Sequence, residues 1–167
     1  PSIVDKSTKR KICQLVESAA LKLGIVNGVA KGDIVICPKR GPMIIEMAAR
    51  LSGGDFSESL VPLSTGIEYV SAVIEIALNR PNLTNSKLTA KTAYSVANRY
   101  IFVKPGMLQK ISGLDEVKKI PGICKLELNY NVGARLPKID SHAKRTGVFV
   151  VRATDKKSCQ HLIDKIY

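Results

Sequence analysis

The chain has 167 residues, 45% of them hydrophobic and 24% charged, which is enough apolar material for one or two small domains with a real core. Twenty-six basic residues against 14 acidic ones give a formal charge of +12, but the surplus is spread out: residues 1–100 hold 13 basic and 8 acidic groups, residues 101–167 hold 13 and 6. Only 5% of residues are aromatic, no apolar run approaches the ~18 residues that span a bilayer, and the opening PSIVDKSTKR lacks the apolar stretch of a signal peptide, so nucleic-acid binding and membrane insertion are not expected and the chain reads as cytoplasmic.

Residues 7–23 show the spacing of an amphipathic helix, with Ile12, Leu15, Val16, Ala19, Ala20 and Leu23 inward, Ser7 or Asp5 as cap and Gly24 as terminator. Next come two short runs rich in Ile and Val, Asp33–Cys37 and Met43–Met47, broken by Pro38-Lys39-Arg40-Gly41. This is the pattern of a β-hairpin. Symmetric pairing sets Cys37 against Pro42, Ile36 against Met43, Val35 against Ile44, Ile34 against Ile45 and Asp33 against Glu46. Alternation then sends Asp33 and Glu46 to one face and Ile34, Ile36, Met43 and Ile45 to the other, which the first helix covers.

Two carboxylates facing each other across strands repel unless solvent or a cation lies between them. A hard divalent cation suits such a pair, because Mg²⁺ takes oxygen ligands and is commonly held by one or two carboxylates together with substrate phosphates. Arg50 follows Glu46 by four residues, and Ser52-Gly53-Gly54 supplies a loop whose amides can approach an anion. The plainer alternative is a strand-edge acid and a solvated acid ion-paired with Arg50.

Further along, residues 60–66 read as a connector, and Glu68–Leu78 as a helix with Val70, Val73, Ile74 and Ala77 inward, stopped by Asn79-Arg80-Pro81, with Ser64 and Thr65 as its caps. The polar stretch 82–90 marks a boundary. Beyond it, Thr92–Val103 reads as a strand, Pro105-Gly106 as a turn and Met107–Ile111 as the returning strand. A helical turn over Gly113–Lys119 capped by Ser112, strands at Ile123–Tyr130 and Gly147–Ala153, and a last helix behind Thr154 complete the chain. Cys13, Cys37, Cys124 and Cys159 form no CxxC pair and read as free buried thiols, so zinc is not expected.

The words Gly28-Val-Ala-Lys-Gly-Asp33 and Gly41-Pro-Met-Ile-Ile-Glu46-Met-Ala-Ala-Arg50-Leu-Ser-Gly-Gly54 resemble the metal-binding hairpin of the ATP-grasp carboxylate–amine ligases, with the acids 13 residues apart and the arginine four residues on. The resemblance implies that Asp33 and Glu46 hold Mg²⁺ (or Mn²⁺) bridging the phosphates of ATP. It implies further that Arg50, with Ser52, Gly53 and Gly54, faces a carboxylate substrate and its acyl phosphate, which an amine or ammonia then attacks. The first acid of the family is more usually Glu, so Asp33 has a shorter reach, and Lys31 stands where many members carry another polar residue, often His. Phe102-Val-Lys-Pro-Gly106, Gly113-Leu-Asp-Glu-Val117, Ile120-Pro-Gly122 and Ser141-His-Ala-Lys-Arg-Thr-Gly147 are similar to the domain that follows the ATP-grasp module in carbamoyl phosphate synthetase-like and biotin carboxylase-like ligases. Within that last word, His142 and Arg145 read as ordering their own turn.

The fold expected is α+β: the C-terminal half of an ATP-grasp module, helix plus antiparallel hairpin sheet, over residues 1–88, then a small α+β C-terminal domain over 89–167. No glycine-rich phosphate loop with facing lysines occurs. The chain therefore reads as a fragment whose ATP-binding half is elsewhere, in the same polypeptide or a separate subunit, inactive alone and compatible with a homodimer. The rival is a basic non-enzymatic module for nucleic acid or an acidic partner, which would show steep salt dependence and a continuous basic face.

Overall fold

The computed structural model describes residues 4–80 and 88–166, and it is mixed α+β, as the sequence leads one to expect. The boundary stretch 82–90 and the helix stop at Pro81 fall largely on 81–87, outside the described residues. The chain divides into two compact units, one taking in 4–62, 67–80 and 88–90, the other 63–66 and 91–166. No single helix among the described residues is long and apolar enough to cross a membrane.

In the first unit, helix α1 (Lys6–Lys22) starts at Asp5, whose carboxylate accepts from the backbone N–H of Ser7 and Thr8 at 2.8 and 2.9 Å. Asp5, not Ser7, is the cap. Ala20 is buried, but Leu23, expected inward, is the C-cap residue and 63% exposed, because the chain leaves the helical path there and turns at Gly24. Strands β1 (Lys31–Cys37) and β2 (Gly41–Ala48) form an antiparallel hairpin, a two-stranded sheet of its own.

The hairpin register departs from the symmetric expectation. Lys31, Gly32 and Asp33 face Ala48, Met47 and Glu46, but Ile34 faces Ile44, Val35 faces Met43, Ile36 faces Pro42 and Cys37 faces Gly41, so the register slips by one between Asp33 and Ile34. The extra residue is Ile45, 70% exposed. A bulge of this kind leaves one residue of a strand unpaired and lets the faces on either side of it keep their own alternation. The inward apolar set is therefore Ile34 with Ile44 and Met47, not Ile34 with Ile45. A Cβ added to Gly32 would stand 3.1 Å from both Met47 Sδ and Val16 Cγ2, which shows how closely α1 lies on that face.

Most of the 60–66 stretch expected as a connector is helical: a π-helical turn over Phe56–Leu60, closed by the Leu60 N–H donating to Asp55 O at 2.8 Å, runs into α2 (Val61–Thr65). Helix α3 (Tyr69–Ala77) has Glu68, not Ser64 or Thr65, at its N-cap. It buries Ala72 and leaves Ile74 53% exposed and Ala77 exposed, so its inward face is rotated from the one expected.

The second unit is organised by β7 (Gly147–Ala153). Val148, Phe149, Val150 and Val151 are all buried, the continuous apolar run of a strand covered on both faces. It lies between β3 (Ser95–Ile101) and β5 (Ile123–Leu128), antiparallel to both. Helix α5 (Lys156–Ile166) packs Cys159 and Ile163 against Phe149 and Val151, with Ile101, Leu126 and Leu162 around them. Asp155 caps α5, accepting from the backbone N–H of Ser158 at 2.9 Å, while Thr154, the expected cap, donates its hydroxyl to Asp155.

The return strand expected after Pro105 does not form a hairpin with β3. Gly106–Met107 (β4) pairs instead with Arg135–Leu136 (β6), in a small two-stranded sheet of its own. Helix α4 (Leu114–Lys118) begins at Gly113 in a left-handed conformation, φ 79°, without a side-chain cap, so Ser112 does not serve as one. Of the four thiols, all expected buried, only Cys159 is; Cys13 and Cys124 are exposed and Cys37 is intermediate.

Candidate functional site

The bulge decides which acids meet. Asp33 and Glu46 remain register partners because the slip comes after them, on the turn side of the hairpin. Their side chains are 49% and 55% exposed, so both carboxylates keep much of their hydration. Lys31, two residues before Asp33 on the same face, sets its ammonium at Asp33 Oδ2 (2.5 Å) and 3.9 Å from Glu46 Oε1. A cation therefore already occupies the place between the acids. The sequence left Lys31 without a role; its i, i+2 spacing from Asp33 on a strand is the signal that puts it there.

Arg50 is not brought onto the acids: its guanidinium donates from Nη1 to Leu51 O at 3.0 Å, on an exposed stretch. The loop after it is shaped by the backbone. Gly54 and Asp55 have φ of 68° and 69°, consecutive left-handed residues, and Ser57 Oγ donates to Ser52 O at 2.9 Å. A Cβ on Gly53 would meet nothing within 4 Å, so this side of the loop is open to an approaching group. Asp55, a non-glycine residue in the left-handed region and only 7% exposed, anchors the loop through its carbonyl, which accepts from Ser59 and Leu60. In the sequence its only signal is an acid directly after Gly-Gly.

Among the described residues no group of three or more His, Cys, Asp and Glu side chains could hold a metal. Two half-hydrated carboxylates with a cation between them nevertheless offer the oxygen donors that Mg²⁺ prefers, provided the other ligands are water or phosphate. The residue set fits a shared metal and not a full protein cage. At the turn, the backbone N–H groups of Arg40 and Lys39 hold the Cys37 thiol below its ordinary value, whereas burial raises that of Cys159.

In the second unit, Arg145 stacks over the Tyr100 ring at 3.5 Å and lies 3.3 Å from His142 Nε2, and its carbonyl accepts from Asn129 Nδ2 at 2.7 Å. These contacts tie the 142–145 turn to β3 and to the end of β5.

The L-amino acid ligase C-terminal domain 2 family matches residues 99–167. A crystal structure of an L-amino acid ligase from Bacillus licheniformis superposes with a TM-score of 0.84 at 25% identity, covering 99% of this chain and 42% of that one. A phosphoribosylglycinamide synthetase from Anaerococcus prevotii gives a TM-score of 0.83 at 21% identity, again over 99% of this chain and 42% of that one. An uncharacterized protein of Sinorhizobium fredii is 27% identical over 126 residues, 75% of this chain and 25% of that protein. The chain thus spans a quarter of that relative and about two fifths of these solved structures. In fold the chain resembles these two solved structures over nearly its whole length, and in sequence its last 69 residues match the L-amino acid ligase C-terminal domain 2 family.

Proposed function

We propose that this chain forms part of an ATP-dependent carboxylate–amine ligase working through an acyl phosphate, and that Asp33 and Glu46 are its metal-holding acids. The observation that carries the reading is their pairing across the hairpin with the Lys31 ammonium between them. Mg²⁺ or Mn²⁺, when bound there, supplies positive charge against the nucleotide phosphates and the oxygens of the transferred phosphoryl group. Lys31 holds the two carboxylates together until that charge arrives, and its long stem lets the ammonium swing away.

Arg50 and the Ser52-Gly53-Gly54 loop take the carboxylate side of the reaction. A guanidinium anchored by a single bond to Leu51 O keeps other donors for a carboxylate or acyl phosphate, and the open side of Gly53 leaves room for that anion. The ATP-contacting lysines and glycine-rich loop come from another part of the protein or from a second subunit, so the chain by itself hydrolyses no ATP. The amine or ammonia attacks within that larger assembly.

The test is Glu46→Gln in the protein that contains this chain together with its ATP-binding half. Acyl phosphate, trapped as hydroxamate with hydroxylamine, falls by about 10²–10³-fold, the scale of losing one preorganised electrostatic contact in a transition state. Glu46 is half-exposed, so the substitution leaves the hairpin folded. Trapping at the wild-type rate removes the metal role of Glu46.

A further inference from the structure

At one end of the three-stranded sheet, where β3 and β5 begin and β7 ends, lies an open groove of ≈ 800 Å³ that the ligase chemistry does not use. Its lining is mostly apolar and includes Tyr94, Pro121 and Leu162 together with Arg152, Lys157 and His161. Lys157 and His161 are four residues apart and share one side of α5, the side turned away from Cys159 and Ile163 in the core. The groove exists because the backbone closes tightly beneath it: Gly122, φ 97°, accepts from the Arg152 N–H at 2.8 Å, and a Cβ there would stand 2.7 Å from Arg152 O.

Three observations point to a ligand. The Arg152 guanidinium lies over the Tyr94 ring, 4.8 Å from its centroid, so one face of the cation is fixed while its N–H edges stay available. Among the described residues none of Arg152, Lys157 and His161 has a carboxylate within ion-pair distance. No acid is among the residues that line the groove, and Asp155, next to Thr154 in sequence, has its oxygens taken by the Ser158 N–H at 2.9 Å, the Ser158 hydroxyl at 2.7 Å and the Thr154 hydroxyl at 3.1 Å. Basic side chains that line one groove with apolar ones, and that have no acidic partner among the described residues, are complementary to one kind of molecule.

We infer that this groove binds a small organic anion, a carboxylate or phosphate head on a flat apolar body, with the head on Arg152 and Lys157 and the body between Tyr94, Pro121 and Leu162. The size is that of ordinary small-molecule sites, roughly 300–1,000 Å³. The inference rests on the second unit alone and stands or falls separately from the roles of Asp33 and Glu46.

The test titrates the isotopically labelled full chain with phenyl phosphate, inorganic phosphate and benzyl alcohol and follows backbone amide shifts. Phenyl phosphate gives saturating shifts at Gly122, Ala153 and Ser158; inorganic phosphate binds there at least about fivefold more weakly, and benzyl alcohol does not saturate below about 10 mM. Arg152→Ala and Lys157→Ala, both at exposed positions, each weaken phenyl phosphate by about three- to tenfold, and Lys104→Ala, an exposed lysine that does not line the groove, leaves it unchanged. Shifts that fail to saturate, that fall elsewhere, that are as strong with phosphate alone, or that weaken equally in Lys104→Ala overturn the assignment.

Discussion

The β1–β2 hairpin and the sheet around β7 are both antiparallel, but only the second has a strand with neighbours on either side. In β7, four successive residues from Val148 to Val151 are buried, with Phe149, Val150 and Val151 at 1% or less. On the hairpin, Val35, Ile36 and Ile45 are 46%, 44% and 70% exposed. A two-stranded ribbon has too little covered surface to be stable unaided and relies on the helix packed on it. The difference separates two tasks. The closed sheet concentrates apolar burial, and the open hairpin leaves both of its acids about half-exposed to water, the surroundings that the proposed shared metal site calls for.

The sharpest way to break this comparison is to cut each region at its centre. Phe149→Ala removes a fully buried ring touching Cys159 and Ile163 and costs about 3–5 kcal/mol, whereas Ile44→Ala, at a half-buried hairpin position, costs about 1–2 kcal/mol. Denaturant unfolding followed by amide signals from each unit reads both values. Equal losses, or a larger loss in the hairpin, would mean that the burial contrast does not govern stability.

The same contrast explains what the sequence made legible. Gly147–Ala153 announces itself as a buried strand because every side chain obeys one environment, and α1 does so through its unbroken helical spacing. The Asp33–Glu46 pairing was legible for a less general reason: the symmetric register holds on that side of the bulge only. Ile45 carries no local mark of being the extra residue, since an isoleucine suits either face, and only α1 docking on Gly32 and Met47 decides it. The partner of β4 was hidden because it lies some 30 residues away at Arg135–Leu136, and strand pairing at that range leaves no periodic trace. Lys31 was visible as a residue but not as a bridge, for its ammonium reaches Glu46 only once the register is known.

A smaller effect is expected at Lys31. Lys31→Met removes the cation between the acids, so the hairpin loses stability through carboxylate repulsion, by less than about 1 kcal/mol because both acids are half-exposed. The same change takes away a competitor for the site, and Mg²⁺ or Mn²⁺ titrated against the hairpin amides binds about three- to tenfold more tightly, restoring the lost stability as it does so. Unchanged metal affinity together with unchanged stability would mean that Lys31 does not share the acids' surroundings.

The smallest effect compares one helix from each unit in acid. Asp5 at the start of α1 and Asp155 at the start of α5 both titrate below the ordinary 3.8, Asp5 chiefly through the Thr8 hydroxyl and Asp155 chiefly through the Ser158 N–H. Because the folded values are depressed, the caps contribute their full stability above 3.8 and lose it as the pH falls through the lowered values. Asp5→Asn and Asp155→Asn keep a side-chain acceptor for the helix N-terminus but remove this titration, so each flattens the acid limb of its own unit's stability curve. Both caps are exposed and alike in chemistry, so the difference lies in what each helix covers: α5 shields Phe149 and Val151, and α1 lies on the hairpin. Loosening α1 in acid therefore frees the hairpin amides first, while the β7 amides stay protected from exchange until the closed sheet itself opens.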